Sequence, residues 1–287
     1  MRVNLFLSTR KRFFFAFQKK VQAMTIRLTS EQIERYSRQI MIPDLGGKGQ
    51  IRIRQGRVLV IGAGGLGCAA AFYLAAAGVG VLGLVDWDLV ELSNLQRQIL
   101  HVTPDIGREK VKSAKEKLNR LNPEVEIRTY PVHLVEENAA EILAPYDFIV
   151  DGSDNFTTKF LVNDTAVSLG KAFSHAGIVR FQGQTMTVMP GTSACYRCLF
   201  EAPPPPGEIL SCQQAGILGS VAGTLGAIQA TEAIKFFVGM EEELLVNRLL
   251  IYDAKTVKFR TIEVRRNANC RTCGEKKKGE SKLSFTA

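Results

Sequence analysis

Arg57-Val58-Leu59-Val60-Ile61-Gly62-Ala63-Gly64-Gly65-Leu66-Gly67 is the stretch that decides the fold. Its apolar first part predicts a buried parallel strand, and the Ala- and Leu-rich segment 66–77 predicts the helix that follows. Glycines between a strand and a helix let the backbone approach a phosphate, and the helix start supplies N–H groups and the positive end of the helix dipole. The glycines expected to bind phosphate are Gly62, Gly64, Gly65 and Gly67.

An acidic residue follows the next predicted strand, residues 81–85. Asp86 stands at the carboxyl end of that strand, where a carboxylate can accept hydrogen bonds from the hydroxyls of a ribose. The glycine turn and the acid together indicate a nucleotide but leave the chemistry open, because their default interpretation is a nicotinamide or flavin enzyme.

Strand and helix patterns alternate along the first part of the chain. Further strands are predicted at 125–130, 148–151 and 172–176, and further helices at 31–42 (with Ser30 as N-cap), 107–121 and 157–169. This alternation predicts an α/β fold with a Rossmann-like, mostly parallel sheet and helices on both faces.

Beyond residue 178 the pattern changes. An antiparallel strand is predicted at 183–189, a long apolar helix at 216–239 and a strand pair at 249–253 and 258–262. The C-terminal strands are therefore expected to be antiparallel, and no linker divides the chain into two domains.

The net charge of +9 is concentrated at the two ends of the chain. Residues 1–24 contain basic but no acidic residues, and the tail 275–287 is rich in lysine, so the body 25–274 is close to neutral and nucleic-acid binding loses its main support. The apolar run 13–17 is too short for a signal peptide, and no stretch is long enough to span a membrane. We expect a cytoplasmic protein with a disordered or loosely helical N-terminal extension.

The cysteines divide into two CxxC pairs and two single residues. Two pairs in a chain without a secretory signal predict one structural zinc site, and disulfide bonds are the alternative. The expected zinc ligands are Cys195, Cys198, Cys270 and Cys273. Cys68 is expected in the core. Cys212 follows a Pro-rich loop, where its thiol is either accessible and reactive or an unreactive loop thiol.

Several cations are expected around the phosphate loop: Arg35, Arg38, Arg97 and Lys110. Asp154 is the carboxylate available to hold a metal ion. Phosphoryl and nucleotidyl transfer need such a set, because negative charge on the phosphate oxygens must be neutralised. A dehydrogenase does not need it.

These motifs together resemble the MoeB/ThiF/HesA family, the bacterial relatives of ubiquitin-activating enzymes. The resemblance covers residues 29–274 and includes, in the family's order, the motifs Arg35-Tyr36-Ser37-Arg38-Gln39, the glycine turn, Asp86-Trp87-Asp88, Ser93-Asn94-Leu95-Gln96-Arg97-Gln98, Asp154-Asn155 and both CxxC pairs. It implies that MgATP adenylates the C-terminal glycine of a small ubiquitin-like sulfur carrier protein ending in Gly-Gly, with release of pyrophosphate.

The resemblance also implies roles for individual residues. Asp86 binds the ribose, Asp154 with Asn155 organises Mg²⁺ and the reacting groups, and the nucleotide contacts further include Ser93, Asn94, Leu95, Gln96, Arg97 and Lys110. Arg38 matches an arginine that family members supply across a dimer interface, so a homodimer is implied. Cys212 matches a position that in some members becomes covalently linked to the carrier.

The resemblance is compatible with two biosynthetic pathways, which differ in the carrier protein. A MoaD-like carrier leads to molybdopterin and a ThiS-like carrier to thiamin. The chain ends soon after the second CxxC pair, so the sulfur is expected from a separate protein such as a cysteine desulfurase or a rhodanese. The alternatives are adenylation of a small-molecule or tRNA-borne carboxylate, and a nucleotide-binding zinc scaffold without turnover.

Overall fold

Eight strands form a single sheet in the computed structural model, which describes residues 27–205 and 215–274. The strands are β1 (Arg57–Ile61), β2 (Val81–Val85), β3 (Glu126–Tyr130), β4 (Phe148–Asp151), β5 (Ala172–Val179), β6 (Gln182–Val188), β7 (Arg248–Asp253) and β8 (Lys258–Glu263). Their order across the sheet is β3-β2-β1-β4-β5-β6-β7-β8. The first five in this order are parallel and the last three pairings are antiparallel. The predicted fold class is confirmed.

Helices connect the strands and cover both faces of the sheet. In the described part of the chain they are α1 (Ser30–Arg35), α2 (Ser37–Ile40), α3 (Gly46–Gln55), α4 (Gly65–Ala76), α5 (Lys110–Leu121), α6 (Glu136–Leu143), α7 (Phe156–Leu169), α8 (Tyr196–Leu199) and α9 (Gly219–Val238). No helix among these residues is both long and apolar enough to cross a membrane.

The core lies on the two faces of β1 and its neighbours. Val58 and Val60 belong to one apolar cluster with Leu74 of α4 and Phe237 of α9. Leu59 and Ile61 belong to the other cluster, which includes residues of α6 and α7. Successive residues of a strand point to opposite faces, so a strand segment buried on both sides is apolar throughout, as residues 58–61 of β1 are.

The strand order reverses direction between β1 and β4, and ligands of open α/β sheets bind at the carboxyl ends of the strands at such a point. Ile61 is paired with Asp151, so both strands end at the same level. Gly62 and Gly152 follow them, and a Cβ added at Gly62 would lie 3.1 Å from the carbonyl oxygen of Gly152. The loops after β1 and β4 therefore touch, and the glycine turn lies at this crevice.

The N-terminal helix differs from the prediction of one helix over 31–42. It is broken at Tyr36, which has φ −101° and ψ 12°, into α1 and α2. Tyr36 is buried, and its hydroxyl is bonded to Glu124 and Asn122. The N-cap is Thr29 and not Ser30, because Thr29 Oγ1 accepts the N–H of Gln32 while Gln32 Oε1 accepts the N–H of Thr29.

Three helices were not predicted: α3, α6 and α8. Helix α3 begins at Gly46-Gly47, two residues that disfavour a helix, but it packs through Gly49 against Val238 and buries Ile53. Strand β5 extends to Val179, beyond its predicted end, because it pairs with β6 up to Val179. The predicted extension 1–24 and the tail 275–287 lie outside the described residues, as does Cys212.

Helix α9 packs directly on α4 through small residues. A Cβ at Gly226 would overlap the carbonyl oxygen of Leu66 and lie 2.9 Å from Cβ of Ala69. Gly223, one turn earlier on the same helix, has no atom within 4 Å of the position a Cβ would take.

We expect Gly226→Ala to lower the free energy of unfolding by about 1 to 3 kcal/mol, because the backbone of α4 must move to accept the methyl group. Gly223→Ala is the matched control and should be neutral or stabilising by up to about 1 kcal/mol, since alanine favours the helix. Chemical denaturation of both variants measures the difference. Equal stabilities would show that the two helices are not in close contact at Gly226.

Candidate active site

The glycine turn is a tight connection between β1 and α4. Gly62 has a φ of +87°, which favours glycine, and its N–H donates to the carbonyl oxygen of Val85 at 2.8 Å. Gly67 approaches so closely that a Cβ there would overlap the carbonyl oxygen of Gly62. This contact places the first turn of α4, with its N–H groups, at the end of β1.

Asp86 holds the turn from the side of β2. Its Oδ2 accepts the N–H of Ala63 at 2.7 Å, and its Oδ1 accepts the N–H of Asp88 at 2.9 Å. Burial raises the pKa of Asp86, and the charge of Lys110 opposes the increase. Each carboxylate oxygen retains a further lone pair, so Asp86 can also accept a ribose hydroxyl, as the sequence predicted.

Arg97 and Gln98 lie against the same turn. A Cβ at Gly65 would be 3.6 Å from Cγ of Arg97, and one at Gly64 would be 4.0 Å from the side-chain nitrogen of Gln98. Gln98 is buried, and its Oε1 has no hydrogen-bond partner among the described residues. The predicted cation Arg97 therefore lies beside the glycine turn.

The segment before Arg97 forms a short 3₁₀ helix, Leu92–Asn94. Asn94 Oδ1 accepts the N–H of Glu91 at 3.2 Å, Ser93 Oγ donates to Glu91 at 3.1 Å, and Gln96 Nε2 donates to Ser93 O at 3.4 Å. Leu95 is half-buried. These predicted nucleotide-binding residues are hydrogen-bonded to one another in a turn that ends at Arg97.

Lys110 begins α5 and is almost fully buried. Its ammonium group donates to Asp88 Oδ2 at 2.7 Å, and its charge partly offsets the increase in the pKa of Asp86 that burial causes. The structure thus brings the predicted cation close to the end of β2, with the carboxylate of Asp88 as its partner.

Asp154 and Asn155 follow β4 on the other side of the crevice. Asp151 supports this loop, because its Oδ1 accepts the N–H and the hydroxyl of Ser153 at 3.0 and 2.6 Å. Asp154 is exposed, while Asn155 Oδ1 accepts the N–H of Thr158 at 2.8 Å and so caps α7. Gly152 packs on the glycine turn, and Asp154 follows Gly152 by two residues, so its loop is held beside that turn.

Arg35 and Arg38 are not brought to the glycine turn within one chain. Arg35 donates to the carbonyl oxygen of Leu121 at 3.4 Å, at the far end of α5. Gln39, the residue after Arg38, donates to the carbonyl oxygen of Ala77, just beyond the far end of α4. Helix α4 has 12 residues, a length of about 18 Å. Arg38 is exposed, and Met41 is beside it. The expectation that both arginines surround the loop is not met in the single chain.

Two buried groups near the site were not predicted. His101 lies behind the glycine turn, with Nε2 at 3.2 Å from Ala63 O. Lys159 lies below the Asp154 loop and donates to Asp151 at 3.3 Å and to Ala176 O at 2.6 Å. The one sequence signal for His101 is a polar residue in the apolar context Ile99-Leu100-His101-Val102.

The four predicted cysteines form one cluster. The Sγ atoms of Cys195, Cys198, Cys270 and Cys273 all lie within 4.8 Å of one another. The distance from Cys195 to Cys270 is 3.7 Å and that from Cys198 to Cys273 is 3.3 Å. A disulfide needs about 2.05 Å, whereas four sulfurs bound to one zinc at about 2.3 Å are roughly 3.8 Å apart. The donor set therefore fits a tetrahedral metal ion.

Both cysteine loops are attached to α7 through one carboxylate. Asp164 accepts hydrogen bonds from Arg197 Nε and Nη2, at 2.7 and 2.6 Å, and from Thr272 Oγ1 at 2.8 Å. Burial would raise the pKa of Asp164, but the hydrogen bonds from Arg197 and Thr272 outweigh it, and the pKa is lowered. Asp164 thus stays ionised and joins the cysteine site to the helix that begins beside Asp154.

Known proteins match almost all of the described chain. The model of the ThiF family matches residues 36–272. The sulfur carrier protein adenylyltransferase of Thermus thermophilus is 47% identical over 255 residues, covering 87% of this chain and 94% of that protein. The probable adenylyltransferase/sulfurtransferase MoeZ of Mycobacterium tuberculosis is 46% identical over 84% of this chain. The chain spans only 62% of MoeZ, and 55% of the adenylyltransferase and sulfurtransferase MOCS3 of Drosophila sechellia, to which it is 46% identical.

Solved structures share the fold. The crystal structure of E. coli MccB with ATP superimposes with a TM-score of 0.71 at 24% identity, covering 84% of this chain and 74% of that chain. The structure of PaaA gives a TM-score of 0.71 at 25% identity, covering 85% of this chain and 76% of PaaA.

Proposed function

The chain belongs to the ThiF family, and we propose that it is an adenylyltransferase that transfers AMP from ATP to the C-terminal carboxylate of a small ubiquitin-like sulfur carrier protein. The similarity to the Thermus thermophilus sulfur carrier protein adenylyltransferase over nearly its whole length carries this proposal. The nucleotide-type crevice at the ends of β1 and β4 supports it.

The proposed reaction is a substitution at the α-phosphorus of ATP. A carboxylate oxygen of the carrier's terminal glycine forms a bond to that phosphorus, the bond to the β-phosphate oxygen breaks, and pyrophosphate leaves. The carboxylate is already ionised near pH 7, so no general base is needed. Catalysis then consists of alignment of the two substrates and neutralisation of phosphate charge.

The described residues suit these tasks. The N–H groups at the start of α4 would bind the phosphates, Arg97, whose Cγ lies beside Gly65, would add positive charge there, and Asp86 would bind the ribose. Lys110 adds positive charge next to Asp86. Asp154, an exposed carboxylate at the mouth of the crevice, would hold Mg²⁺, an ion that prefers oxygen ligands and neutralises charge on the phosphates.

A homodimer would supply the missing arginine. Arg38 is exposed at the end of the molecule opposite its own glycine turn, so it can serve a nucleotide site only in another subunit. Ile33, Met41 and Ile42 beside it are also exposed, as are Leu92 and Ile99 near the crevice. Exposed apolar groups of this kind are typical of interaction surfaces.

Sulfur transfer would follow adenylation, with a cysteine desulfurase or a rhodanese as the proposed sulfur donor. Cys212 remains a predicted thiol for this step. A cytoplasmic location is proposed because four clustered free thiols fit a reducing compartment.

We expect labelled pyrophosphate to exchange into ATP only when a carrier ending in Gly-Gly is present, because the carrier carboxylate is the nucleophile. The same carrier without its last glycine is the control, and Arg97→Ala should reduce exchange on the order of a hundredfold. Exchange with a small carboxylate and no carrier would indicate the alternative substrate class. Absence of exchange with every Gly-Gly carrier would overturn the proposal.

The dimer can be tested by complementation between subunits. Arg38→Ala and Asp154→Ala should each abolish exchange alone. Mixed dimers, purified through two different tags, should regain about half of the wild-type activity, because one of the two shared sites is then intact. Two-tag dimers carrying Arg38→Ala in both subunits are the control. If Arg38 serves the site of its own chain, the mixed dimers will be inactive.

We further propose that the four-cysteine cluster holds Zn²⁺ in a structural site. Metal analysis of the purified protein should find about one zinc ion per chain, because four thiolates complete a tetrahedral site. Cys270→Ser should lose the ion, while Cys68→Ala, which changes a cysteine outside the cluster, should keep it. Metal-free protein with disulfides between these cysteines would contradict the assignment.

A further inference from the structure

Ala63, inside the glycine turn, has both of its backbone polar groups fixed by buried side chains. Its N–H donates to Asp86, as described above. Its carbonyl oxygen accepts from His101 Nε2 at 3.2 Å and from the thiol of Cys68 at 3.2 Å. A thiol is a weak donor, so the imidazole is the stronger of the two partners.

The hydrogen-bond partners define one tautomer of His101. The Cys68 thiol, 3.9 Å from Nε2, donates to the Ala63 carbonyl oxygen and not to the ring. A carbonyl oxygen can only accept, so the proton is on Nε2, and Nδ1 accepts. Nδ1 lies 2.8 Å from Ser113 Oγ, and Lys117 Nζ donates to the same Oγ at 3.0 Å. The Ser113 hydroxyl is therefore left to donate to Nδ1. The bonds run in one direction, from Lys117 through Ser113 and His101 to Ala63.

His101 is neutral in this arrangement. Burial lowers its pKa, and the nearby charges of Lys110 and Lys117 lower it further, while the bond to Ala63 and the charge of Asp105 act in the opposite direction with a smaller effect. Asp105 is itself buried and paired with Lys117, which keeps that ammonium group next to Ser113.

The carbonyl of Ala63 and the N–H of Gly64 belong to one planar trans peptide, so they point in opposite directions. His101 draws the carbonyl toward the interior, and the N–H of Gly64 is thereby turned outward. None of the described residues accepts a hydrogen bond from this N–H. It remains available as a donor to an anion in front of the turn.

We propose that His101 is a positioning residue for nucleotide binding, which acts through the Ala63–Gly64 peptide to aim the Gly64 N–H at a phosphate. This inference rests on the proposed ATP site. It assigns to a buried histidine, without contact to the substrate, part of the affinity for the triphosphate.

Two substitutions of His101 separate its hydrogen bond from its volume. His101→Phe keeps a ring but removes the donor, and His101→Gln places an amide N–H within reach of the same carbonyl. Titration calorimetry with a non-hydrolysable ATP analogue should show about a tenfold weaker Kd for His101→Phe, the effect of one lost hydrogen bond. His101→Gln should bind as the wild type does. Equal affinities for wild type and His101→Phe, or equal losses in both variants, would overturn the proposal.

Tyr146→Phe is the matched control for a lost buried hydrogen bond. Its hydroxyl is bonded to that of Tyr130 at 2.9 Å, on the face of the sheet opposite to α4 and α5. Its melting temperature should fall without a change in nucleotide affinity. A weaker Kd for Tyr146→Phe, equal to that of His101→Phe, would show that affinity reports only general stability and would also overturn the proposal.

The nitrogen chemical shifts of the imidazole test the assignment without any nucleotide. In wild-type protein at pH 7, His101 should be neutral with its proton on Nε2. A proton on Nδ1, or a charged ring, would overturn the proposal even if His101→Phe does not fold. If the wild type does not bind the ATP analogue, the proposed function is overturned, and with it the role of His101 in nucleotide binding. The tautomer of His101 would still test the hydrogen-bond chain from Lys117 to Ala63.

Discussion

The contact between the carbonyl oxygen of Gly62 and the backbone of Gly67 is the constraint on which the rest of the site depends. No other residue fits at Gly67, because any Cβ would overlap that oxygen. The contact sets the start of α4 directly on the end of β1. Gly152 packs against the same two glycines, so the loop that carries Asp154 is held at the turn as well. Two loops that are 90 residues apart in sequence thus form one crevice.

The parallel part of the sheet could be predicted because β1, β2 and β4 are buried almost throughout and are therefore largely apolar runs of four or five residues, whereas the edge strand β3 is marked by alternation. The helices that were missed depend on tertiary contacts. Helix α3 starts with two glycines, which disfavour a helix locally, yet packing of Gly49 on Val238 and burial of Ile53 outweigh that preference. The break at Tyr36 likewise depends on partners at Asn122 and Glu124, far away in sequence.

The residues of the candidate site also fall into two groups, those that a local sequence pattern marks and those whose place depends on distant contacts. The glycine turn, Asp86 and the two CxxC pairs are local patterns, and the structure brings each of them to its expected place. His101 and Lys159 act through hydrogen bonds to backbone carbonyls of other segments, and no local pattern marks such a role. Arg35 and Arg38 have the right charge for a phosphate site, but charge alone does not tell at which end of the sheet a helix lies. The contacts of Arg35 with Leu121 and of Gln39 with Ala77 determine that position, and they join segments far apart in sequence.

Helix α7 connects the two functional parts of the molecule. Its first turn is capped by Asn155, next to Asp154, and two turns later Asp164 binds both cysteine loops through Arg197 and Thr272. An ion with four thiolate ligands has no open position for a substrate, so it cannot take part in the chemistry directly. Helix α7 therefore joins the cysteine loops directly to the loop that carries Asp154, because Arg197 and Thr272 bind its Asp164 and Asn155 caps its start.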